Sequence, residues 1–159
     1  HVLNMDFGVK VEDYVSDMQR TFYLLEEGET EAPEDVMKGF NTIVEAIEMA
    51  RALLKPGVLP VEVDKVAREH IVAQGYDEFP HGLGHQVGRF VHDGNALLGP
   101  AWEKYADKVY QQVEEGMVFT IEPRLKVPGR GDATIEEMVL VTKDGAEFLG
   151  PPQKEIFLV

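Results

Sequence analysis

The chain has 159 residues with 15 Lys+Arg against 29 Asp+Glu, a formal charge of −14, and no cysteine. With 44% hydrophobic residues it can build one core, which excludes a disordered chain, and the missing cysteines exclude a disulfide scaffold, a thiolate metal site and a cysteine nucleophile. The acidic balance repels a phosphate backbone, no basic cluster interleaved with aromatics offsets it, and no apolar run reaches ~18 residues. Neither nucleic acid nor membrane is expected as a partner, no intact signal peptide is visible, and a reducing, cytoplasmic location is the expectation.

In chain order, residues 2–9 and 14–23 alternate as strands around a polar patch at 10–13 and predict a β-hairpin. Pro33, Glu34 and Asp35 open a helix, because proline suits the first turn and acids suit the positive end of the dipole. Val36, Phe40, Ile43, Val44, Ile47, Ala50 and Leu54 form its apolar stripe, which ends at Lys55, Pro56 and Gly57. A second helix over 61–74 opens at Pro60 with Glu62 and Asp64, closes at Gly75, and turns Val63, Val66, Ala67 and Ile71 inward. His70 on it reads as a surface or packing residue. Residues 79–99, rich in Gly and His, suit strands and loops, and 102–112 suit a helical turn or covering loop. Two more strands are expected over 117–127 and 133–142 around the Pro128-Gly129 turn, with a last one near 147–149. The order of hairpin, two helices and antiparallel strands predicts an α+β class in a single domain over 1–159.

Five residues of metal-ligating types sit inside apolar or glycine-rich segments: Asp6, Asp17, His85, Glu122 and Glu136. A buried carboxylate needs a positive partner. If 10–13 form the hairpin loop, Asp6 stands directly opposite Asp17, and opposed like charges are destabilising unless a cation lies between them. The alternatives are a slipped register with one acid in solvent, or a pair between Asp17 and Arg20. Glu122 and Glu136 flank the later turn at a separation that fits an odd-length loop centred on Gly129, while Glu137 falls on the other face, solvated or supporting the ligands from behind. His81, His85 and His92 crowd one segment, yet Gly82 and Gly84 disfavour the helix that H-E-x-x-H needs, its glutamate is absent, and no helix signature supports a phosphate loop. Four carboxylates balance two divalent cations. Oxygen donors with one imidazole suit Mn²⁺, Fe²⁺ or Co²⁺, with Zn²⁺ also compatible, and two such ions can activate a water for amide hydrolysis.

At these residues the sequence resembles the pita-bread metallopeptidases, family M24, which holds methionine aminopeptidases, prolidases and Xaa-Pro aminopeptidases. The likeness rests on Asp6-Phe7-Gly8, Ser16-Asp17 through Phe22, His81 through His85 with His92-Asp93, Phe119 through Pro123, and Ile135-Glu136-Glu137. It implies the pita-bread fold, a curved antiparallel sheet with covering helices, and two divalent metal ions, manganese foremost. Asp6 and Asp17 would hold one ion and His85 and Glu122 the other. Asp17 and Glu136 would bridge the two, and a bridging hydroxide would attack the scissile carbonyl. It also implies catalytic roles for His92, Glu122 and His81: His92 donating to the carbonyl, Glu122 relaying a proton, His81 lining the pocket beyond the cleaved bond.

The context around Asp17 and the doubled histidines resemble the Xaa-Pro branch, whose substrates are short peptides with proline and whose parent proteins form homodimers. Relatives of that branch often carry arginine where Thr134 stands, so Arg124 on the neighbouring strand is the candidate to bind a substrate carboxylate. The resemblance also implies that the chain is the C-terminal portion of a catalytic domain, which would leave residues 2–9 as an unpaired apolar edge. A non-catalytic peptide-binding module and a small-molecule hydrolase or lyase on the same fold are the alternatives.

Overall fold

A computed structural model describes all 159 residues. The N-terminal hairpin consists of β1 (Val2–Phe7), β2 (Lys10–Val11), β3 (Tyr14–Val15) and β4 (Met18–Tyr23). Its register differs from the expected one by two residues: Val11 pairs with Tyr14, and Asp6 faces Gln19 rather than Asp17. The reason lies in the turn, where Glu12 and Asp13 both take positive φ, 47° and 68°, and so close a two-residue loop without glycine. Because the offset is even, no side chain changes face. Gly8 is needed where the strands approach, since a Cβ there would lie 2.0 Å from the Ser16 carbonyl oxygen.

Two helices follow, α1 (Glu34–Leu53) and α2 (Pro60–Ala73). The predicted stripe of α1 is buried at Val36, Phe40, Ile43, Ile47 and Ala50, with Leu54 beyond its end, while Val44 is partly covered. Helix α2 departs from its pattern in one respect, because Asp64 in its first turns and Arg68 one turn later are both buried. His70 pairs with Glu45 of α1 at 3.0 Å.

Strands β5 (Gly84–His85) and β6 (Leu97–Leu98) are a short pair in the glycine-rich segment. Residues Glu103–Tyr110 form two 3₁₀ turns broken at Ala106, where φ is 47°. Strands β7 (Val118–Ile121), β8 (Arg124–Val127), β9 (Gly131–Thr134), β10 (Glu137–Val141) and β11 (Ala146–Phe148) complete the antiparallel part, and β12 (Phe157–Leu158) adds itself parallel to β4.

The β8–β9 and β7–β10 ladders share one register, Arg124 with Thr134 and Ile121 with Glu137, so Glu122 and Glu136 lie across from each other and Gly129 sits at the turn, as its spacing predicts. Alternation then sorts the side chains. Phe119, Ile121, Leu125, Val127, Ala133 and Ile135 join the helices in the core, while Thr120, Glu122, Arg124, Thr134 and Glu136 lie on the opposite face. A bridge between Gln19 and Glu136 ties β4 to this sheet, and one between Gln86 and Phe119 ties in the histidine segment. Strand β1 stands at a sheet edge with Leu3, Met5 and Phe7 exposed. No helix is long and apolar enough to cross a membrane.

Candidate metal and substrate site

The site forms where β1, β4, β5, β7 and the short extended link between β9 and β10 converge. His85 is carried by β5, whose approach to β7 depends on Gly84: a Cβ there would lie 1.9 Å from the Thr120 carbonyl oxygen. The His85 amide donates to Thr120 Oγ1 at 3.1 Å, and Nδ1 lies 3.2 Å from the Gln86 carbonyl oxygen. The ring therefore donates from Nδ1 and turns Nε2 toward the carboxylates. That nitrogen lies 3.3 Å from Glu122 Oε1, 3.6 Å from Asp17 Oδ2 and 3.9 Å from Glu136 Oε1. One donor atom each from Asp17, His85 and Glu136 lies within 4.8 Å of the others. Asp6 is exposed and stands at the rim of the same cavity.

The electrostatics follow from burial. Glu136 is 1% exposed, and desolvation together with Glu122 and Asp17 pushes its carboxyl up to about 9. Burial likewise raises Asp17, with His85 pulling it back and Asp6 adding to the rise. Burial draws His85 down, but Glu122 and Asp17 more than offset this and leave it above its ordinary value. No lysine or arginine lies within 4 Å of the Asp17, Glu122 or Glu136 carboxylates, whose ion-pair partner is His85. Arg20 does not pair with Asp17. It binds Glu137 at 3.2 Å and donates to the Glu136 carbonyl oxygen at 3.1 Å. Glu137 is accordingly not solvated: it is buried, and its other oxygen accepts the Gln153 amide at 2.7 Å.

Two lobes flank the cluster. One, of about 600 Å³, is polar and is lined by His81, His92, Arg124, Tyr105 and Thr134 together with Asp6, His85 and Glu122. The other, of about 640 Å³, is lined by Phe7, Val9, Val15 and Val91 together with Asp17 and Glu136. All eight residues singled out in the sequence thus meet around one opening. His92 stacks edge-on against His85 with centroids 4.0 Å apart. Arg124 sits directly across the strand pair from Thr134 and 3.8 Å from Asp132.

Two polar residues not anticipated from sequence, Gln19 and Thr120, shape the cluster. Gln19 Nε2 donates to Glu122 Oε2 at 3.4 Å and Gln19 Oε1 accepts from Thr134 Oγ1 at 3.1 Å, while Thr120 Oγ1 donates to Glu122 Oε1 at 3.4 Å. The available signal was alternation, since Gln19 follows Asp17 by two and Thr120 precedes Glu122 by two.

Comparison with known proteins agrees with this geometry. The profile of metallopeptidase family M24 matches residues 1–143. An uncharacterized peptidase of Staphylococcus aureus is 37% identical over 145 residues, covering 91% of this chain and 38% of that protein. An Xaa-Pro dipeptidase of Pyrococcus horikoshii is 33% identical over 154 residues, covering 96% of this chain and 40% of that protein. Among solved structures, an X-Pro aminopeptidase from Thermotoga maritima superposes with a TM-score of 0.85 at 33% identity, over 99% of this chain and 42% of that one. The chain therefore spans about two fifths of the length of these relatives. Family model, fold and site geometry lead to one assignment: this chain belongs to metallopeptidase family M24 and has the pita-bread fold of its Xaa-Pro peptidases.

Proposed function

We propose that the chain carries the metal site of an Xaa-Pro peptidase, a hydrolase of short peptides at bonds adjacent to proline. The observation that carries this reading is the burial of Glu136 beside Asp17, Glu122 and His85 without a lysine or arginine to neutralise them. Such a set is costly as it stands and is satisfied by cations. The donors fit two divalent ions, which Asp6, Asp17, His85, Glu122 and Glu136 would hold together. Hard oxygen donors with a single imidazole favour manganese, with cobalt, iron or zinc also matching. When bound, the ions supply an activated water and a Lewis acid for the scissile carbonyl.

The remaining work falls to side chains. Glu122, oriented by Gln19 and Thr120, accepts the proton of the attacking water at its carboxylate and returns it to the leaving nitrogen. His92, exposed at the mouth beside His85, donates to the developing oxyanion. His81 lines the polar lobe where the proline side of the substrate lies, and Arg124 holds a free terminal carboxylate there. The P. horikoshii relative is named as an Xaa-Pro dipeptidase, which supports proline-containing peptides as substrates.

The test is metal content followed by turnover. Stoichiometric Mn²⁺ with hydrolysis of Xaa-Pro peptides and not of matched peptides lacking proline supports the reading. Metal without peptide turnover favours a small-molecule reaction, and failure to bind metal favours a non-catalytic module.

A further inference from the structure

One buried charged cluster outside the ligand set takes no part in the chemistry described above. Asp64 and Arg68, one turn apart on α2, are 1% and 6% exposed. Arg68 meets Asp64 in a two-pronged contact, Nε to Oδ2 and Nη2 to Oδ1, each 2.7 Å. The same guanidinium donates to two backbone carbonyls of the histidine segment, Phe79 at 2.6 Å and His81 at 2.7 Å, and lies 3.8 Å over the Phe79 ring. Asp64 Oδ1 in turn accepts the Leu83 amide at 3.0 Å. Residues 79, 81 and 83 are thus all fastened to the pair by main-chain groups, while the Gly82 amide donates to the Tyr105 hydroxyl at 2.7 Å.

The His81 ring continues this arrangement. Its Nδ1 lies 2.7 Å from the Gly82 carbonyl oxygen, so it donates there and leaves Nε2 for the polar lobe. Packing alone does not require an ion pair at this place, since apolar side chains of similar volume fill a core equally well. What the pair supplies is direction: a planar fork with fixed donors can hold two carbonyls and a carboxylate at once, which a lysine ammonium on a flexible stem cannot.

We infer that Asp64 and Arg68 are positioning residues, which act through the backbone of residues 79–83 to fix the ring of His81 in the substrate lobe. The role in peptide binding rests on the function proposed above; the effect on the ring does not. The metal ligands are held by other contacts, His85 through Thr120 and Gln86 and Glu136 through the bridge to Gln19.

The test uses the 159-residue chain and Arg68→Lys, which keeps a positive charge beside Asp64 and removes the fork. ¹⁵N spectra of the His81 ring report the Nδ1–H tautomer directly. Expected is a folded variant with unchanged Mn²⁺ affinity, a His81 ring that samples both tautomers, and a KM for an Xaa-Pro peptide raised by about tenfold or more at nearly constant kcat. Asp64→Asn keeps the shape and part of the hydrogen bonding and should fall between wild type and Arg68→Lys; if Arg68→Lys does not fold, Asp64→Asn carries the same readouts. An unchanged His81 spectrum in a folded variant overturns the inference, as does a fall in kcat and metal affinity in step with KM. If the wild-type chain turns over no proline peptide, the proposed function fails while the ring spectra still decide this point.

Discussion

Gln19 lies directly across β1–β4 from Asp6 and donates to Glu122 at 3.4 Å, so one amide joins the hairpin to a proposed ligand just beyond β7, more than a hundred residues later. Its other end accepts from Thr134. Replacing Gln19 by Leu removes the donor that orients Glu122. Mn²⁺ affinity is expected to fall by about 10- to 100-fold, the usual effect of losing a group that orients a ligand, with little change in secondary structure. Isothermal titration of the chelator-treated protein measures it.

Glu136 sets the pH behaviour of the metal-free chain. Its carboxyl titrates at about 9 when folded, against an ordinary 4.5, so across that interval the folded chain holds a proton that the unfolded chain has released. Stability must therefore fall as pH rises from about 4.5 toward about 9. His85, also raised, contributes stability at low pH that is lost as pH climbs through its folded value, a slope of the same sign. Melting temperatures in chelator should decline over this range. Glu136→Gln should flatten much of the decline and abolish tight metal binding. With Mn²⁺ present the trend should weaken or reverse, because the ion displaces the protons.

Gly84 tests how closely β5 must approach β7. An alanine methyl would sit 1.9 Å from a backbone oxygen, a contact that no side-chain rotation relieves. Gly84→Ala should destabilise the chain by on the order of 3 kcal/mol and displace His85. Chemical denaturation gives the first effect and loss of metal binding the second.

Arg124 tests the substrate side of the site. It is partly exposed, its Asp132 contact is long at 3.8 Å, and it lines the lobe that contains His81 and His92. Arg124→Glu should raise KM for a free Xaa-Pro dipeptide by about tenfold or more and leave the amidated peptide nearly unaffected. Equal effects on both peptides would remove Arg124 from carboxylate recognition.

Much of this arrangement was legible in the residues, for reasons that can be named. The stripe of α1 is a local, one-sided pattern, and Gly129 marks the centre of a turn from which both flanking ladders count, so Glu122 and Glu136 could be placed opposite each other. The first hairpin gave its faces correctly and its register wrongly, because Glu12 and Asp13 adopt left-handed backbone that neither residue announces. Contacts made at long range left no periodic trace. Alternation leaves Glu137 either solvated or supporting from behind, and it is the contacts of Arg20 and Gln153 that exclude the solvated choice. Asp64 reads only as an acid that opens α2, and nothing local in the pattern marks Arg68 as its partner; the return of residues 79–83 covers the pair. Strand β12, two residues long and parallel to β4, carries no signal that a local pattern could reveal.

The central claim is that Asp17, His85, Glu122 and Glu136 are gathered around cations. Anomalous scattering from crystals soaked in Mn²⁺ tests it most directly. Two peaks flanked by Asp17 and Glu136, one reaching Asp6 and the other His85 and Glu122, are the predicted result. Crystals with full soaking but no peak among these side chains, or peaks confined to acids on the outer surface, would contradict it.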